Sequence, residues 1–421
     1  MSMYTLVQRL MFVFLLVVPL QTFAAETASQ LFKTLKQQVY QIRIIDKASG
    51  NKSTIGSGFQ ISKDGYLATN FHVVSSFVHK PDKFSLEYVY HDGTTGNAEL
   101  HDIDVVHDLA ILKIKPLQDK YFTFNLKSLS KGERIFSMGN PHDLSMLIIE
   151  GNFSGLLKES RFKKILFSGS LNAGMSGGPA FDKTGKLIGI NVSKGSEQIS
   201  FLVPAARLDT LFKRAKKNGK VKDFNQVILS DLYRDQNHFY KKLLKKKWTS
   251  ESLGLVEISG KLDKSFKCWG HTVDDEDILY EGVHKHCRSQ DRLYISQDMH
   301  TGMFSYDYEW ITSKKLNRFQ FYTKVENRFT HGSFNNVRKK ENVTNYSCEE
   351  KFVSLTGHSW KISSCIRAYK KYKGLYDVLL LLTSVDKNDK TLLAKAAMSG
   401  VSKENSTDFI KSFLGRIKWK N

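Results

Sequence analysis

The sequence predicts two folded parts, an all-β first half of barrel or sandwich type and an α+β second half. Three observations carry this. Short apolar runs between residues 39 and 192 are punctuated by Gly and Asp at close intervals. Helical periodicity takes over at 205–218 and 225–247. Beyond residue 251 the chain is aromatic-rich and strand-like, and it holds all four cysteines.

Taken in order, residues 26–38 read as a short helix leading into a strand at 39–45. Residues 55–61 alternate Gly, Ser and apolar side chains, Asp64-Gly65 supplies a turn, and 66–69 returns, which is a hairpin signal. Further strands are expected at 84–90, 108–114, 134–138, 165–168 and 187–192. Leu208, Leu211 and Phe212 share one face of a helix at 205–218. A second helix at 225–247 ends in Lys245-Lys246-Lys247, where cations suit the C-terminal dipole. A last helix is expected at about 406–416, and no internal repeat is visible.

Length and composition bound the rest. The 421 residues admit two or three domains at ~100–200 residues each. Six prolines and 41% hydrophobic residues exclude a largely disordered chain. The net charge is +21, and residues 211–421, with 40 Lys and Arg against 24 Asp and Glu, hold +16 of it. Residues 225–421 are therefore open to an anionic partner such as membrane headgroups, cell-wall polymer or nucleic acid, or simply solvate their surface with lysine. Arg9, the apolar run 10–20 and the small-residue end at 21–25 have the layout of a secretory signal peptide cleaved after Ala24. An uncleaved anchor is the other reading, but the run is shorter than the ~20 residues that span a bilayer. The mature chain is expected outside the cytoplasm, periplasmic or extracellular, with no transmembrane segment. That compartment favours disulfides, with Cys268 paired to Cys287 and Cys348 to Cys365 as the nearest neighbours. A zinc site from Cys268, His271, His284, His286 and Cys287 is the competing reading, although the spacing matches no standard finger. No metal or cofactor is assigned. The acidic run at 274–277 lacks EF-hand spacing and reads as a solvated loop.

The chemistry sits in three segments: Thr69-Asn70-Phe71-His72-Val73-Val74, His107-Asp108-Leu109-Ala110 and Gly174-Met175-Ser176-Gly177-Gly178-Pro179. Each alone is weak, since a His among apolar residues is usually a core residue and Gly-rich runs are usually turns. Together they supply what acyl transfer needs. Ser176 is a nucleophile if a base takes its proton, His72 can serve near neutral pH, and Asp108 can hold the other ring nitrogen. The flanking glycines let backbone amides converge on one developing oxyanion.

These segments, with Gly56-Ser57-Gly58-Phe59, Asp64-Gly65-Tyr66, Gly139-Asn140-Pro141 and the strand Ile199-Ser200-Phe201-Leu202-Val203-Pro204, resemble the trypsin-like serine peptidases of the Deg/HtrA type over about residues 30–215. The resemblance implies an all-β chymotrypsin-like double β-barrel with His72 and Asp108 in the first barrel and Ser176 in the second. It also implies an oxyanion hole from the amides of Gly174 and Ser176, and a specificity pocket near Ser170, Ser200, Phe201 and Leu202. The substrate would be a polypeptide. The G-x-S-x-G pattern around Ser176 also fits an α/β-hydrolase elbow, but there the His and Asp follow the serine.

The departures are Met175 before the serine, Ser200 and Leu202 where Gly and Ala are usual, and His142-Asp143-Leu144 after Gly139-Asn140-Pro141. They touch specificity and loop shape and remove no catalytic group. The expected organisation is a leader at 1–24, a peptidase domain at 25–215, a basic helical linker at 216–250 and a basic α+β domain at 251–421 without a PDZ-like carboxylate loop. The reading is a secreted serine endopeptidase. A catalytically silent barrel acting through a binding module in residues 225–421 is the alternative. The oligomeric state is not legible.

Overall fold

The computed structural model describes residues 27–141, 144–196, 198–331 and 338–420. The leader expected at 1–24 and the departure at His142-Asp143 lie outside the described residues.

Helix α1 (Thr27–Leu35) sets Leu31, Phe32 and Leu35 against the chain that follows. Then come β1 (Val39–Asp46), β2 (Lys52–Gln60), β3 (Tyr66–Thr69), β4 (Phe84–Val89), β5 (Thr95–Asn97), β6 (Glu99–Asp104) and β7 (Leu109–Lys113). They form a seven-stranded antiparallel half-barrel in the order β5-β4-β1-β2-β3-β7-β6. β1 shows why: Tyr40, Ile42 and Ile44 alternate into the core while Arg43 turns outward. The β2–β3 turn rests on Gly65, whose φ of 82° and packing against the Ile114 carbonyl leave no room for a Cβ. Helix α2 (Phe71–His79) follows β3 directly.

The next six strands, β8 (Arg134–Gly139), β9 (Leu147–Leu156), β10 (Ile165–Phe167), β11 (Pro179–Asp182), β12 (Leu187–Ser196) and β13 (Ile199–Pro204), close into a barrel. Ile135, Phe153, Phe167, Ile188 and Leu202 fill it. Strand β9 goes beyond the sequence expectation because Gly151 and Gly155 break its pattern and most of it is only half-covered. Helix α3 (Ala205–Asn218) then buries Leu208 and Leu211 on the barrels.

Helix α4 (Phe224–Lys245) lies within the stretch expected as a basic helical linker at 216–250 and packs on both halves. Its Ile228 and Leu232 lie in the core of the first sheet, and its Phe239, Tyr240 and Leu243 in the core of the second half.

The second half contains β14 (Ser250–Leu253), β15 (Val256–Ser259), β16 (Phe266–Val273), β17 (Tyr280–Ser289), β18 (Leu293–Ser296), β19 (Met299–Thr301) and β20 (Phe304–Ser313). Helix α5 (Arg318–Thr330), β21 (Ser347–Leu355), β22 (His358–Ala368), β23 (Leu375–Ser384), β24 (Lys390–Ser402), helix α6 (Lys403–Leu414) and β25 (Lys418–Trp419) complete it. A seven-stranded antiparallel sheet runs β16-β17-β20-β24-β23-β22-β21. Tyr306, Tyr308 and Trp310 face α4 and α6, while Ile311, Leu379 and Leu393 face α5. Helix α5 is unforeseen in the sequence because its aromatics suggest strand. Its start is nevertheless encoded, as Asn317 and Gln320 form a capping box. Disulfides join Cys268 to Cys287 and Cys348 to Cys365. With both sulfurs bonded, the alternative zinc set has lost its thiolates. No described helix is long and apolar enough to cross a membrane.

Candidate active site

His72 is the second residue of α2, and Asp108 sits in the turn between β6 and β7. Their meeting is enforced twice. The Asp108 carboxylate accepts the His72 backbone N–H at 2.8 Å, and its other oxygen lies 2.6 Å from His72 Nδ1. Asp108 has a φ of 57°, a left-handed backbone that Asp tolerates better than most residues. Asn70 Nδ2 donates to the Asp108 carbonyl at 2.8 Å and so pins that turn. Burial disfavours the charged imidazole, but the charge and hydrogen bond of Asp108 outweigh it and raise the His72 pKa above the ordinary value.

Ser176 occupies a tight turn between β10 and β11. Gly177 beside it has a φ of 83°, and a Cβ there would strike the Ser57 carbonyl and Thr69 Oγ1. The Ser57 N–H donates to the Ser176 carbonyl at 2.8 Å, and Ser57 Oγ donates to the Gly174 carbonyl at 2.7 Å. Asn191 Nδ2 donates to the carbonyls of Met138 and Met175, each at 3.1 Å. Met175 is wholly buried in the second barrel. The turn is thus held from the first barrel by Ser57 and from the second by Asn191 and Met175. Among the described residues, the amides of Gly174 and Ser176 donate to no protein acceptor, which leaves both open to an oxyanion.

Ser176 Oγ points at the Val192 carbonyl, 3.5 Å away, and makes no hydrogen bond to His72 among the described residues. Of the candidate pocket residues, Ser200 and Leu202 face the barrel interior and are fully buried. Ser200 Oγ accepts the Leu171 N–H at 3.0 Å. Phe201 and Ser170 are half-buried. Sequence reasoning assigned no role to Ser57 or Asn191. Ser57 stood within a quoted motif, yet nothing local marks a serine that acts across 117 positions.

The second half reaches this site. The Tyr294 ring meets His72 edge-on at 6.0 Å, and its hydroxyl lies 3.2 Å from Ser75 Oγ. His79 Nε2 bonds the Ile295 carbonyl at 2.8 Å. Beneath the Asp108 turn, Arg214 forks onto both carboxylate oxygens of Asp102, and Val105 N–H donates to Asp231 of α4 at 3.3 Å.

Residues 56–190 match the family model described as a trypsin-like peptidase domain. A probable periplasmic serine endoprotease, DegP-like, from Bartonella henselae is 35% identical over 177 residues, covering 39% of this chain and 34% of that protein. The human serine protease HTRA3 is 32% identical over 184 residues, covering 41% and 40%. Among solved structures, the serine endoprotease from Yersinia pestis aligns with a TM-score of 0.41 and 26% identity over 46% of this chain and 68% of that one. The chain spans about a third of the length of the DegP-like relatives it matches. Its first half is a trypsin-like serine peptidase domain of double-barrel fold. The relatives that match this domain are serine proteases of the Deg/HtrA type.

Proposed function

We propose that the protein is an exported serine endopeptidase that hydrolyses polypeptides through an acyl-enzyme on Ser176. The observation that carries this is the doubly bonded His72–Asp108 pair together with the glycine turn, packed against Ser57, Thr69 and Asn70, that holds Ser176 and two unpartnered amides. Rotation of the Ser176 side chain away from Val192 brings Oγ toward His72. His72 Nε2 takes the hydroxyl proton as Oγ attacks the scissile carbonyl, and Asp108 stabilises the imidazolium. The amides of Gly174 and Ser176 donate to the oxyanion. Collapse of the tetrahedral adduct expels the amine, which takes the proton from His72, and water repeats the steps to release the acid. Export fits the expected leader and the periplasmic naming of the DegP-like relatives. In the same reading, the basic second half meets an anionic partner.

The alternative, a silent barrel serving as a scaffold, is favoured by one observation, the Ser176 hydroxyl turned to Val192. Hydrolysis of unfolded casein separates the two. The mature chain cleaves it and Ser176→Ala does not; equal cleavage by both would refute the assignment.

A further inference from the structure

Two cavities share one wall, and the first opens beside His72 and Asp108. The first, about 210 Å³, is lined by His72 and Asp108, by apolar Val105, Phe162, Val203 and Leu293, and by Tyr294. The second, about 380 Å³, runs on between the peptidase domain, α4 and the segment after β15. Val106, His107 and Phe162 line both. The first cavity is mainly apolar but carries Lys164 and Arg292, and the second has the larger share of charged residues.

The charges in this trough are unbalanced in a specific way. Its three carboxylates in the larger cavity are already engaged. Asp104 holds His107 at 2.7 Å, Asp235 holds Arg161 at 3.3 Å, and Asp263 pairs with Lys246. Six cations along the two cavities, Lys163, Lys164, Arg207, Lys242, Lys264 and Arg292, make no ion pair among the described residues. They come from the peptidase barrels, α3, α4 and the second half, so the positive field belongs to the assembled chain. The walls are fixed. Asp291, 3% exposed, accepts Ser160 Oγ and the Arg161 N–H at 2.7 Å each. Arg161 lies over the rings of Phe162 and Phe239 at 4.9 and 4.5 Å. A preformed cleft with one sign of charge concentrates the opposite sign.

We infer that this trough is an extended subsite for an acidic stretch of the substrate polypeptide, leading from an apolar residue next to the catalytic histidine into the cationic channel. The inference rests on the peptidase reading for its purpose, but not for its binding chemistry. A cleft between two folded parts admits a single extended chain, whereas a bilayer needs an open face.

The test uses the full mature chain as Ser176→Ala, with fluorescein-labelled peptides that carry six Glu or six Gln beside the same apolar residue. We expect the Glu peptide to bind about tenfold or more tightly at low salt, with the advantage shrinking as salt screens it. Arg207→Glu with Lys242→Glu should abolish that preference. Lys120→Glu with Lys387→Glu, exposed and outside the trough, should retain it despite the same change in net charge. Equal binding of the two peptides, or equal loss in both double variants, overturns the inference. So does tighter binding of anionic vesicles than of the Glu peptide, lost on the same two substitutions. In the active chain, Arg207→Glu with Lys242→Glu should raise KM for acidic substrates and leave kcat within about twofold. An intact Glu preference in a chain with no hydrolysis would sink the peptidase reading and leave the trough standing.

Discussion

His72 can serve as a base only while its ring is neutral, and Asp108 makes that state harder to reach. Its charge raises the imidazole pKa above the ordinary 6.5 despite burial. The sign follows: kcat/KM is low where the ring is charged and climbs with pH along a limb centred above 6.5. Asp108→Asn removes the raising charge, so the limb should move to lower pH while the plateau falls by up to ~10⁴. A pH-rate profile measured from about pH 5 to 9 checks both, and a flat profile contradicts His72 as base. Ser176→Ala and His72→Ala should each abolish turnover, and combining them should add little, because the residues act as one unit. Ser57→Ala removes one hydroxyl that holds both the Gly174 carbonyl and the Asn140 N–H. As a positioning change it should lower kcat more than it raises KM and leave the pH limb unmoved. The His72–Asp108 pair and the Ser176 turn were legible in the sequence because each sits in a short, composition-marked segment. Ser57 and Asn191 were not, because their roles exist only once distant strands meet.

The two disulfides lie where strands are weakest. β16 and β21 are the two edges of the seven-stranded sheet, and both are largely exposed. Cys268 pairs directly opposite Cys287, and Cys348 directly opposite Cys365. Each bridge thus anchors an edge strand that burial alone holds poorly. Closing loops of 19 and 17 residues contributes on the order of 3 kcal/mol per bridge in the chain-entropy model. Reduction should lower the thermal midpoint, with β16 and β21 losing amide protection first. Hydrogen exchange read strand by strand tests this, and unchanged edge protection after reduction contradicts it. The hairpin β2–β3 and helix α3 were readable from turn residues and helical period. Helix α5 was not, because its buried stripe of Phe321, Val325 and Phe329 is masked by neighbouring aromatics, Phe319 among them at 81% exposure.

At the scale of the molecule, one core cluster is shared by the two halves. Leu293, Ile295 and Tyr372 of the second half pack in the same cluster as Tyr40, Phe71 and Leu100 of the first sheet. A single cooperative unfolding transition is therefore expected, and calorimetry resolving two well-separated transitions would contradict it. The sequence showed the charge asymmetry between halves but not that α4 fuses them, because a helix with one lysine-rich face reads alike whether its other faces are covered once or twice. Met175, buried and uncharged, packs the Ser176 turn into the second barrel. It offers no counter-charge to a newly cut amine, which would be costly to bury unpaired. Extra residues ahead of Ala25 should therefore leave the reaction rate at Ser176 unchanged. The most direct test of the whole account is labelling of the mature chain with a fluorophosphonate probe, followed by peptide mapping. One adduct is expected, on Ser176, formed at a rate that falls steeply in His72→Ala. No adduct, or an adduct elsewhere with Ser176 unmodified, would contradict it.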